Sequence, residues 1–223
     1  MFILNFIEKF PYLEFFYTAL IIFICLLIYI KIKKAYFFSK HIGLKYFYNA
    51  FLFFAIAFSF RFIYFLSNNF KEYYLFELIL YNGYILILFE FFFLLPGFYF
   101  LISFIYKHIK NYEFILWTLF ILIFFMVSLI DYYYHTFFLM YILNIIIFLL
   151  NTIICFFNYL KKRAKYSKFY FIAMFLLLIS WSINFSTQYL LDQLPFLRYY
   201  TYAINLFALF IIYYIVYKIL KDF

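Results

Sequence analysis

Long apolar stretches recur along this chain, each close to the roughly 20 residues that a helix needs to cross bilayer hydrocarbon. They run Tyr12–Ile30, Tyr46–Leu66, Leu75–Ile105, Phe114–Ile130, Phe137–Phe157, Phe169–Leu191 and Tyr199–Tyr217. Backbone polar groups in lipid must be satisfied internally, and unbroken stretches of this length do so as helices. With 71% hydrophobic and 12% charged residues, the chain could not give a soluble domain a water-facing exterior. The expected fold is therefore all-α: a seven-transmembrane helix bundle forming a single domain over 1–223, multi-pass in the cell membrane. Short connections leave no room for a separate soluble domain.

Charge placement sets the expected orientation. Lys31, Lys33, Lys34, Lys40 and Lys45 follow the first span, and Lys107 and Lys110 follow the third. Lys161, Lys162, Arg163, Lys165 and Lys168 follow the fifth, and Lys218 and Lys221 the seventh. The other breaks and the N-terminus carry Lys9, Lys71 and Arg198. Basic loops stay in the cytoplasm, so the N-terminus is expected outside and the C-terminus inside. The first stretch has neither a basic leader nor a small-residue cleavage site, so no removable signal is expected. The net charge of +9 is spread over these loops. It points to anionic lipid rather than nucleic acid.

Aromatic residues make up 32% of the chain, a bias that AT-rich codons favour. With 3 Gly, close backbone contacts of the small-residue kind are scarce, so bulky rings must fill the helix seams. Tyr at span ends suits interfacial belts. Cys25 and Cys155 fall inside spans and read as small buried apolar groups. His41, His108 and His135 lie in or beside loops without metal spacing, and Asp131 and His135 at i, i+4 could pair locally. No metal or other cofactor is expected. Pro96-Gly97 interrupts the long third span, which should kink there or lay its last turns along the interface.

Polar residues inside spans carry the functional signal, because lipid makes them costly. Counting about 1.5 Å per residue from the outer ends puts Arg61 roughly 8 Å deep and Glu77 about 3 Å deep, so an ion pair or shared network is expected between them. Asn82, Asn144, Asn184 and Asn205 fall roughly 9 to 11 Å deep, giving an outer polar layer. Glu90 and Asn151 make a second, inner layer about 21 to 22 Å down. Trp181, Asn184 and Gln188 share one face of the sixth span, which should point inward. The layer reads either as interhelical hydrogen bonding or as an outward-facing ligand pocket formed by Arg61, Glu77, Asn82, Asn144, Trp181, Asn184, Gln188 and Asn205.

The segment from Lys40-His41-Ile42-Gly43-Leu44-Lys45 through Ser59-Phe60-Arg61-Phe62 resembles archaeal seven-helix proteins and the seven-helix sensor regions of some prokaryotic histidine kinases. The resemblance covers about a tenth of the chain: a basic loop with Gly, an aromatic span, and Arg near its outer end. It implies a receptor-like or partner-binding module. A kinase or cyclase domain after the seventh span is not expected, so any signal is expected to pass to a separate protein partner in the membrane.

Other readings rest on less. A small transporter of the three-one-three plan would usually carry prolines at matching positions of two repeats, whereas here only Pro96 lies within a span. A retinal protein needs a mid-span Lys in the seventh helix, which has none before Lys218. Intramembrane hydrolase motifs are absent, and Glu77 and Glu90 stand close to 20 Å apart along one helix, so an enzyme is not expected. A structural subunit of a membrane assembly stays open.

Overall fold

The computed structural model describes residues 11–69, 84–134, 136–162, 165–189 and 197–221. Among these the chain forms α1 (Pro11–Ser39), α2 (Ile42–Asn69), α3 (Tyr84–Ile109), α4 (Glu113–Tyr134), α5 (Phe138–Lys162), α6 (Lys165–Tyr189) and α7 (Leu197–Lys221). A short 3-10 turn, Lys110–Tyr112, joins α3 to α4. The protein is a seven-helix membrane bundle. Six of the helices contain windows long and apolar enough to span a bilayer, and α3 has a shorter apolar stretch, Glu90–Tyr106, within its described residues. Leu75–Tyr84, the expected start of the third span, falls almost wholly outside the described residues.

Several helices run beyond the apolar spans at the basic end. α1 continues through Lys31, Lys33 and Lys34 because their charges find partners at the rim. Lys31 Nζ sits 4.5 Å from the centre of the Tyr217 ring, and Lys33 donates to the Tyr29 hydroxyl at 3.1 Å. Such side chains bury their stems and keep the head in a polar place. α1 ends where Lys40 takes φ 53°, and its N–H bonds back to Tyr36. That left-handed residue is a helix stop usually filled by Gly or Asn. α3 continues through Pro96 rather than ending there.

Six helices close a ring in the order α1, α2, α3, α5, α6, α7, with α7 returning to α1. α4 stands outside, packed lightly on α3 and α5. Its apolar window is 17% buried, against 28% to 44% for the other five candidate spans. One stripe of α4 faces inward: Phe120, Phe124, Ser128 and Asp131.

Aromatic rings fill the middle of the ring. Phe51, Phe100 and Phe148, from α2, α3 and α5, are wholly buried. Phe51 meets Phe100 edge-on at 5.2 Å, and Phe148 stacks on Trp181 of α6 at 6.3 Å. Such pairs contribute about 0.5–1.5 kcal/mol each beyond burial. In lipid, where apolar burial between helices drives little, packing of this kind holds helices together. Cys25 and Cys155 are buried free thiols within it.

Candidate functional site

Glu14 lies one turn into α1 and Arg61 two turns before the end of α2. The two helices are antiparallel, and ring contacts between Phe15 and Phe62 and between Tyr17 and Phe58 fix their register. Arg61 therefore meets Glu14, with Nη2 2.8 Å and Nε 2.9 Å from the same carboxylate oxygen. Tyr202 of α7 closes the triangle: its hydroxyl donates to the other Glu14 oxygen and accepts from Arg61 Nη2 at 3.1 Å.

Tyr17 stacks on Tyr202 with centroids 4.0 Å apart, and Asn205 donates to the Tyr17 hydroxyl at 3.0 Å. The guanidinium also lies 5.4 to 5.8 Å from the Tyr17, Phe58 and Tyr202 ring centres. The ion pair thus sits in a polar and aromatic frame shared by α1, α2 and α7. The Arg61 and Glu14 side chains keep 25% and 15% of their surface exposed, so the frame is only partly enclosed.

Sequence reasoning missed Glu14, which the same depth count would have put about 3 Å inside the first span. Glu77 and Asn82 lie outside the described residues, so the expected Arg61–Glu77 contact does too.

The remaining polar residues fall into three groups. At the α6–α7 seam, Thr201 donates to Asn184 Oδ1 at 3.1 Å and Ser180 to the Thr201 carbonyl at 3.4 Å. Between α5 and α6, Trp181 is buried against Phe93, Tyr141 and Phe148. Gln188 differs from its expected inward placement. It is exposed near the end of α6 and accepts from Tyr141 there at 3.3 Å, while Phe185 and Tyr189 take the places against Phe138. Asp131 of α4 reaches over the turn to accept from the backbone N–H groups of Leu139 and Met140, at 3.1 and 2.9 Å. It caps α5, whose own preceding residue, Phe137, has no capping side chain. His135 lies outside the described residues.

The third group occupies the α3–α5 seam. Asn151 donates to the Gly97 carbonyl at 2.9 Å. Glu90 and Asn144 each precede these partners by seven residues. In two helices running the same way that puts them level with each other, about 10.5 Å nearer the non-basic end. Phe93 packs on Phe58 at 5.7 Å, which aligns Glu90 with Arg61. Glu90 therefore belongs to the outer level and not with Asn151. The depth count started from Leu75, whereas the packing aligns α3 with α2 some two turns further along. Glu90 and Asn144 are buried.

Toward the basic end the interior is apolar. Ile28, Phe51, Phe100, Met174 and Ile212 are buried, and an apolar cleft there is lined by Ile32, Leu44, Phe47, Tyr170 and Val216. Among the described residues the buried polar groups nearest that half are Asn151 and Thr152, which bond backbone carbonyls, and Tyr46, which donates to Glu113 at the rim.

No protein-family model, curated protein or solved structure matches the chain.

Proposed function

We propose that the chain is a receptor-like or partner-binding membrane module that takes its input at the Glu14–Arg61–Tyr202 frame. The supporting observation is an asymmetry between the two halves of the bundle. A charged, partly exposed frame joins three helices at one end, while apolar side chains fill the ring toward the other. A ligand or partner that inserts between Arg61 and Glu14 would change the contacts of α1, α2 and α7 together. In this reading the N-terminus is outside the cell membrane, and the basic loops face the cytoplasm, where they hold anionic lipid. A protein partner in the membrane carries the output.

One observation favours a transporter as second reading. The ring divides into two triads, α1–α3 and α5–α7, with α4 apart from both. Such a three-one-three division suits alternating access between two bundles. In that case Asn151 must at some stage meet water from the basic side.

Native mass spectrometry of the chain, gently extracted from its own membrane, tests the first reading. A stoichiometric protein partner, or a bound small molecule displaced by Arg61→Leu, is the expected result. A lone chain without adducts, active in solute flux across vesicles, would replace it with the transporter.

A further inference from the structure

Three neighbouring helices bring buried polar atoms to one level of the outer half, where they are short of protein partners. Glu90 on α3 is 2% exposed, Ser128 on α4 1% and Asn144 on α5 0%. Both side-chain heteroatoms of Asn144 make no hydrogen bond with the protein, and Glu90 Oε2 and Ser128 Oγ face no polar partner but each other. The Asn151–Gly97 bond fixes the register of α3 against α5, and the Phe91–Phe124 contact at 4.7 Å fixes α4 against α3. Ser128, one turn beyond Phe124, lies beside the Glu90 carboxyl.

Among the described residues the surroundings supply no counter-charge. The groups acting on the Glu90 carboxyl are Ser128 and the Asp131 carboxylate, and Tyr189 lies within range of both carboxyls. Asp131 is committed to capping α5. Arg61 is engaged by Glu14 and Tyr202. A buried carboxylate without a cation is strongly disfavoured in a bilayer. Buried polar atoms left unbonded cost roughly 1–3 kcal/mol apiece. Asn151 Oδ1 is a further unbonded atom deeper in the seam, but a seven-residue step along each helix from the Asn151–Gly97 contact keeps Asn144 and Glu90 on the faces that meet, so these groups share one place.

We infer that Glu90, Ser128 and Asn144 bind a single sodium-sized monovalent cation between α3, α4 and α5. The donors are a carboxylate, a hydroxyl and an amide oxygen, the hard oxygen set that such ions take. One negative charge suits one positive charge. No group of three or more His, Cys, Asp or Glu converges among the described residues, which sets this donor set apart from a transition-metal site. The ion would tie the loosely packed α4 to the ring. The inference is independent of the receptor reading, since a transporter could use the same ion.

The test is thermal unfolding of the full-length protein in detergent at pH 8, in sodium chloride against choline and potassium chloride at equal ionic strength. Sodium should raise Tm saturably, by roughly 5 °C or more at a hundred times its Kd, with little effect from choline. Glu90→Gln should abolish the sodium response, and Ser128→Ala should shift its midpoint at least several-fold upward. The wild-type titration stands even if a variant fails to fold. A sodium-independent Tm would overturn the site. So would a response unchanged in Glu90→Gln, or a stabilisation that follows falling pH alone, which would mean a proton occupies the carboxyl.

Discussion

Arg61 is held by a carboxylate and a phenol from two other helices, and its cost in lipid is offset because all three groups bond at once. Losing one partner should be felt by the rest. Arg61→Leu is expected to lower stability by about 2 kcal/mol, the range for hydrogen bonds to charged groups, discounted for the partial exposure of the pair. Glu14→Gln in the same background should add much less than it does alone. Denaturant unfolding of the two single variants and the double variant checks this, and strictly additive losses would mean the two residues act separately. Arg61 was legible in the sequence as a charge inside an apolar run. Its partner was not, because depth along a span gives a level but no rotation. Several residues share each level, and side-chain direction chooses among them.

Among the elements, α3 meets α5 at Gly97, where the missing side chain leaves room for Ile147 and Phe148. A Cβ placed there would stand 2.8 Å from Ile147 Cγ2 and 3.5 Å from the Phe148 ring. Gly97→Ala should force the seam apart and strain the Asn151 bond to the Gly97 carbonyl, costing about 1–3 kcal/mol as overpacking does. Ile147→Ala removes the clashing methyl and should restore part of that loss in the double variant. Thermal unfolding that shows no rescue would place the strain elsewhere. The positions of α1, α2 and α4 to α7 could be read from hydropathy, although helices such as α1 run on past the apolar stretch to Ser39. The register of α3 could not. Its polar start, beyond Asn69, blurs where the span begins, and a shift of two turns moved Glu90 from the expected inner layer to the outer level.

The whole molecule is a ring of six helices with α4 on its flank, polar toward one end and apolar toward the other. Seven alternating helices put the basic loops at one end, which is why charge and hydropathy agreed on the topology. Neighbour relations, such as α4 lying outside the ring, depend on which faces meet and left no periodic mark in a chain where Phe and Ile occupy nearly every face. Whether the two halves differ in access is the central claim, and sided thiol labelling in membrane vesicles tests it most directly. Single cysteines at Tyr199, Arg61 and Asn151 would be placed in a background lacking Cys25 and Cys155, then exposed to an impermeant reagent from each side. The account predicts labelling at Tyr199 and Arg61 from the outside, and none at Asn151 from either side. Labelling of Asn151 from the cytoplasmic side in folded protein would contradict it, because the basic half would then admit water.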